Sequence, residues 1–107
     1  MILITKIYMC LACHAIGDYV LQTDFLTSTK GKNFWHMLMH CLLYTIPFVA
    51  VFGLRWSILI LFGTHLITDL MKASWKVISY VTDQAIHLFV IFLIYILPVL
   101  TGGAFQL

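Results

Sequence analysis

Four long apolar runs divide this sequence, and their length decides what the chain can fold into. They cover roughly residues 2–22, 34–52, 56–74 and 83–98. A helix needs about 20 mostly apolar residues to cross the hydrocarbon core of a bilayer, and each run is close to that length. Each is too long for a strand, and an open sheet cannot leave its edges in lipid, so all four read as helices. Polar segments join them: Thr23 to Asn33, the turn Gly53-Leu54-Arg55, and the stretch leading to Asp83. Pro47 falls inside the second run and predicts a kink. Thr82 and Asp83 are placed to cap the fourth helix. Thr101-Gly102-Gly103 closes the structured part. The expected fold is all-α, an integral membrane four-helix up-down bundle forming one domain over residues 1–107.

Composition supports the same class. Only 9% of the residues are charged and 63% are hydrophobic, where a soluble domain carries about 25% charged residues. A net charge of +2 gives no reason to expect nucleic acid, which leaves the lipid bilayer, and a second copy of the chain, as expected partners. Lys30, Lys32, Lys72 and Lys76 fall on one side of the bundle, against Lys6 and Arg55 on the other. The positive-inside rule then predicts a multi-pass protein of the cell's inner (cytoplasmic) membrane with both termini outside. Trp35, Trp75 and Tyr80 fit an aromatic belt at the Lys-bearing face.

The first run leads into Gly17-Asp18-Tyr19 with no small-residue cleavage pattern, so it is expected to be retained rather than removed as a signal peptide. Cys10, Cys13 and His14 match the spacing of c-type haem attachment. They lie inside an apolar helix, however, and His14 has a better reading with Asp18. The three cysteines, Cys41 included, are therefore expected as small buried side chains.

The charged and imidazole groups are not scattered. All four carboxylates are Asp, and five His accompany them. His14 pairs with Asp18, His36 with His40, His65 with Asp69 and Asp83 with His87, each four residues apart. That spacing puts both side chains on one helix face, one turn apart. The pairs fall late, early, late and early in successive helices, so alternating helix direction gathers them at one end. Bundles build metal sites in this way, from the facing sides of several helices. An ionisable group deep in a bilayer costs on the order of 2.5–3.5 kcal/mol on insertion scales, so eight of them need one another or a cation. Mixed imidazole and carboxylate donors suit a divalent metal ion, with zinc the first choice and iron or manganese the alternatives. Taken singly, such a His is as readily interhelical hydrogen-bond glue. A metal-free His–Asp proton relay and plain polar packing are the other readings of the set. Asp24 reads as a loop residue, and His36 ranks below His40 as a ligand.

The run His14-Ala15-Ile16-Gly17-Asp18-Tyr19-Val20-Leu21-Gln22-Thr23-Asp24 resembles the opening motif of the domain-of-unknown-function 3307 family of small bacterial and phage polytopic membrane proteins. His40-Cys41-Leu42-Leu43-Tyr44-Thr45, then Thr64-His65 with Asp69 and Lys72, then Asp83-Gln84 with His87, follow in the same order. The resemblance implies a shared polar set of His14, Asp18, His40, His65, Asp69, Asp83 and His87. It adds Gln22, Tyr44, Lys72 and Gln84 as supporting or substrate contacts, and it leaves His36 out. Its activity is not established.

The functional expectation is a metal site near the cytoplasmic face with His14, Asp18, His40, His65, Asp69 and His87 as candidate ligands. Such a site could serve a hydrolase of phosphate esters or lipid headgroups, with Asp83 as base or orienter and Lys72 steadying developing negative charge. Taken alone, Lys72 more readily reads as snorkelling to the headgroups. The sequence offers no Ser or Cys nucleophile with a convincing base. The alternative is a non-catalytic, metal-stabilised membrane scaffold, or an element of metal-ion or proton transport. The wholly apolar halves Ile46 to Phe52 and Phe89 to Leu97 argue against a path through one chain.

Overall fold

A computed structural model describes residues 2–107. Among these residues every regular element is helical. Helix α1 (Leu3–Ala15) is carried on by a π-helical turn, Ile16–Val20. Helix α2 (Asp24–Thr29) is short, and α3 (Phe34–Phe52) is long. Helix α4 (Ser57–Asp69) runs into a second π turn, Leu70–Ser74. Helix α5 (Tyr80–Ile91) passes through a third, Phe92–Ile96, into a last turn at Leu97–Leu100. The molecule measures 42 × 25 × 22 Å.

Local chemistry explains the ends. The Asn33 side chain accepts from the backbone N–H groups of Trp35 and His36 and starts α3. Gly53, with φ of 88°, stops it at the expected turn. A side chain there would be strained in that left-handed conformation. Helix α3 continues through Pro47. The fourth long helix starts earlier than expected because Ser79, not Asp83, is the cap: its hydroxyl accepts from Thr82 N–H. Asp83 lies one turn in and is fully buried. The segment expected as a polar loop also differs. Thr23 caps α2 by accepting from Leu26 N–H, and Leu26 is buried beneath it. This short helix delivers Lys30 to the interior, where it is 4% exposed. Lys30 therefore does not serve as a free positive charge at the surface.

Burial is inverted relative to a water-soluble protein. His40, His65, Asp69 and Asp83 are all 1% exposed or less, while Ile4, Tyr8, Leu59 and Phe89 are each more than half exposed. Behind the polar cluster an apolar block of Cys13, Phe48, Leu61, Ile91 and Tyr95 fills the rest of the interior. Two helices, Phe34–Phe52 and Tyr80–Leu100, are long and apolar enough to cross a membrane.

The π turns matter because two of them hold the site. Leu21 N–H bonds to Ile16 C=O, and Trp75 N–H to Leu70 C=O, both at 2.8 Å and five residues apart. Such wide turns re-aim side chains and occur often at functional sites. The first contains Asp18 and brings Gly17 against α3. A Cβ on Gly17 would lie 2.7 Å from the carbonyl oxygen of Tyr44. Only glycine permits that approach without a backbone shift.

Candidate metal centre

Asp18 comes from the first π turn, His40 from α3, His65 and Asp69 from α4, and Asp83 and His87 from α5. These six are 5% exposed or less, so late, early, late and early positions do meet at one end. Their aromatic backing is specific. The Tyr44 ring stacks on His65 with centroids 3.7 Å apart and planes at 10°. His65 also lies against His87, at 4.2 Å and 30°.

An inner group consists of Asp18, His40 and His65. His40 Nε2 is 3.0 Å from His65 Nε2 and 3.4 Å from Asp18 Oδ1, and His65 Nε2 is 3.8 Å from that same oxygen. Ligand bonds of 2.0–2.1 Å in tetrahedral geometry put donor atoms roughly 3.3–3.4 Å apart, so these three separations bracket the value a zinc ion sets. Asp69 Oδ2 lies 3.0 Å from His40 Nε2 but stands outside this group and accepts from Lys30. The far ring nitrogens, Nδ1 of His40 and of His65, are buried without a hydrogen-bond partner. Metal-bound histidines usually give that N–H an acceptor.

An outer group consists of Asp18, Asp83 and His87. His87 Nε2 and Asp83 Oδ1 stand 3.1 Å apart, yet both are buried and neither forms an aligned hydrogen bond. Two such atoms, close but unaligned, fit a pair directed at a common third point. Both groups therefore fit a divalent cation by donor chemistry, and the inner one also by spacing.

Lysines balance the carboxylates. Lys30 Nζ donates to Asp69 Oδ2 at 2.8 Å and also to Gln22 Oε1. Lys72 Nζ bridges Asp69 Oδ1 at 3.2 Å and Asp83 Oδ2 at 3.3 Å. Lys72 thus faces the cluster rather than leaving it for the headgroups. At 21% side-chain exposure it is much less buried than its carboxylate partners.

His14 belongs to neither group. Its Nε2–H donates to Gln84 Oε1 and its Nδ1 accepts from the Tyr44 hydroxyl, both at 2.8 Å. Gln84 in turn donates to Asp18 Oδ2 at 2.8 Å. The chain Tyr44, His14, Gln84, Asp18 holds the shared carboxylate in place. Cys10 and Cys13 beside it are buried free thiols. His36 lies apart, bonded to Thr29 Oγ1 at 2.7 Å, and Asp24 is exposed in α2.

Lys30 is the site residue that the charge pattern missed. By sequence it reads with Lys32 as a topology signal, and the reason it turns inward is the neighbouring glycine. A Cβ on Gly31 would sit 2.6 Å from the Ala73 carbonyl oxygen, so Gly31 lets the α2 segment close on the end of α4.

Fold and cluster together define an all-helical protein with apolar outer faces and buried His/Asp groups able to hold a metal ion. Residues 7–107 match the family described as protein of unknown function (DUF3307), and the chain belongs to that family. No curated protein and no solved structure matches it.

Proposed function

We propose that this chain is an integral membrane metal-binding protein, a four-helix bundle holding a divalent cation, zinc first, near its Lys-bearing cytoplasmic end. The observation that carries the reading is the convergence of His40 Nε2, His65 Nε2 and Asp18 Oδ1 within 3.0–3.8 Å from three different helices. The inverted burial supports the membrane setting, since apolar residues at the middles of the helices face outward while the ionisable ones face in. Trp35 and Trp75, both exposed, flank the same end and suit an interfacial belt. With Lys30 and Lys72 both paired to cluster carboxylates, the free positive charges at this end are Lys32 and Lys76.

The candidate ligands are all 5% exposed or less, so a substrate has little access to them, which favours the non-catalytic, metal-stabilised scaffold over the hydrolase. The apolar block behind the cluster opposes through-transport in one chain. Hydrolysis of a phosphate ester or lipid headgroup is the second reading, favoured by one contact. Lys72 lies at the edge of the cluster between Asp69 and Asp83, where it could receive an anion. A bound metal would supply an activated water there, and Asp83 would hold or move its proton.

The deciding experiment measures thermal unfolding of the detergent-purified chain with zinc and with EDTA, alongside turnover of phosphoesters and lipid headgroups. Metal-dependent stability without turnover is the expected result. Zinc-dependent turnover abolished by Lys72→Met would establish the hydrolase instead.

A further inference from the structure

The inner and outer groups share one carboxylate, Asp18. We infer that they are alternative stations for a single divalent cation rather than two sites filled together. This rests on the metal-binding reading and adds its stoichiometry.

The argument is one of charge in a buried place. Three carboxylates, Asp18, Asp69 and Asp83, face two ammonium groups, Lys30 and Lys72. With neutral imidazoles the cluster is one negative charge from balance. One divalent cation leaves it one positive charge over. A second would leave it three over, with no further acidic side chain to answer: Asp24, the remaining Asp, is exposed in α2. Uncompensated charge at this depth is strongly unfavourable.

The outer station stands on its own observation. His87 Nε2 and Asp83 Oδ1 are orphaned, buried and 3.1 Å apart. The stations adjoin through the stacked rings of His65 and His87. Asp18 directs Oδ1 at the inner station, while Oδ2 accepts from Gln84 on α5, the helix that carries the outer one. Asp18 is within ligand reach of both groups.

The test is a cobalt(II) titration of the full chain in detergent micelles, read by metal content and by visible absorption, which reports ligand identity. Wild type saturates at about one cobalt per chain, with a single equivalence point. His40→Ala and His87→Ala each still bind about one, more weakly and with altered spectra, because each leaves one station. Asp18→Asn binds none. Saturation of wild type at about two cobalt ions overturns the inference and leaves the metal-binding reading intact. Loss of all cobalt from a folded His40→Ala also overturns it, since the outer group is then no site. No cobalt in wild type rejects the underlying reading itself. Helical circular dichroism and elution profile show which variants fold, and His65→Ala, which also leaves only the outer group, takes the place of His40→Ala where that variant does not.

Discussion

Lys30→Met separates a cation-binding cluster from a merely structural one. Lys30 is 4% exposed, and its ammonium lies 2.8 Å from Asp69 Oδ2. Removing one partner of a buried pair destabilises by about 3–5 kcal/mol, and the low end applies because Lys72 remains on Asp69. The metal-free variant should therefore lose about 3 kcal/mol. Metal binding should move the opposite way. Asp69 Oδ2 is itself 3.0 Å from His40 Nε2. The ammonium thus lies no more than about 6 Å from His40 Nε2, and at a separation of about 6 Å it opposes a divalent ion by about 5 kcal/mol at an effective dielectric near 20. If only a quarter of that survives relaxation, affinity rises about tenfold, and zinc at a fixed excess stabilises the variant by about 1.4 kcal/mol more than wild type. The assay is thermal unfolding in detergent with EDTA and with zinc, supported by calorimetric titration. Zinc stabilising Lys30→Met no more than wild type would refute the reasoning, because the ammonium and the metal would then not be competing for the same field.

Three further substitutions probe the support of the centre. Gly17→Ala puts a methyl against the Tyr44 backbone and should destabilise by about 1–3 kcal/mol while lowering zinc affinity, checked by the same melts and titration. Tyr44→Phe removes the partner of His14 Nδ1 and should cost about 1 kcal/mol, with metal content unchanged because His14 lies outside both donor groups; depleted metal would return His14 to the ligand set. His36→Ala, outside the cluster, should leave metal content unaltered and shift stability by no more than about 0.5 kcal/mol.

Much of the site was legible in the sequence because it follows from periodicity. Pairs four residues apart on antiparallel helices must meet at one end, and Asp18, His40, His65, Asp69, Asp83 and His87 do. The parts that were not legible depend on contacts far apart in the chain. Nothing in Ile16–Val20 announces a π turn; it forms where Gly17 can close on Tyr44, a residue 27 positions away. His14 shares the spacing of a ligand pair, yet Gln84 and Tyr44 take both its nitrogens, and only tertiary structure sets those partners. Lys30 followed the usual rule for a lysine in a polar stretch, which α2 and Gly31 override. Thr82-Asp83 has the look of a helix cap, and Ser79 a turn earlier does the work instead, freeing Asp83 to face inward.

The central claim is that this buried cluster holds a divalent metal ion. Elemental analysis of the wild-type chain, purified in detergent without chelator alongside Asp18→Asn, tests it most directly. The account expects about one zinc, iron or manganese atom per wild-type chain and none in the variant; fewer than about 0.2 atoms per wild-type chain, or equal content in both, would contradict it.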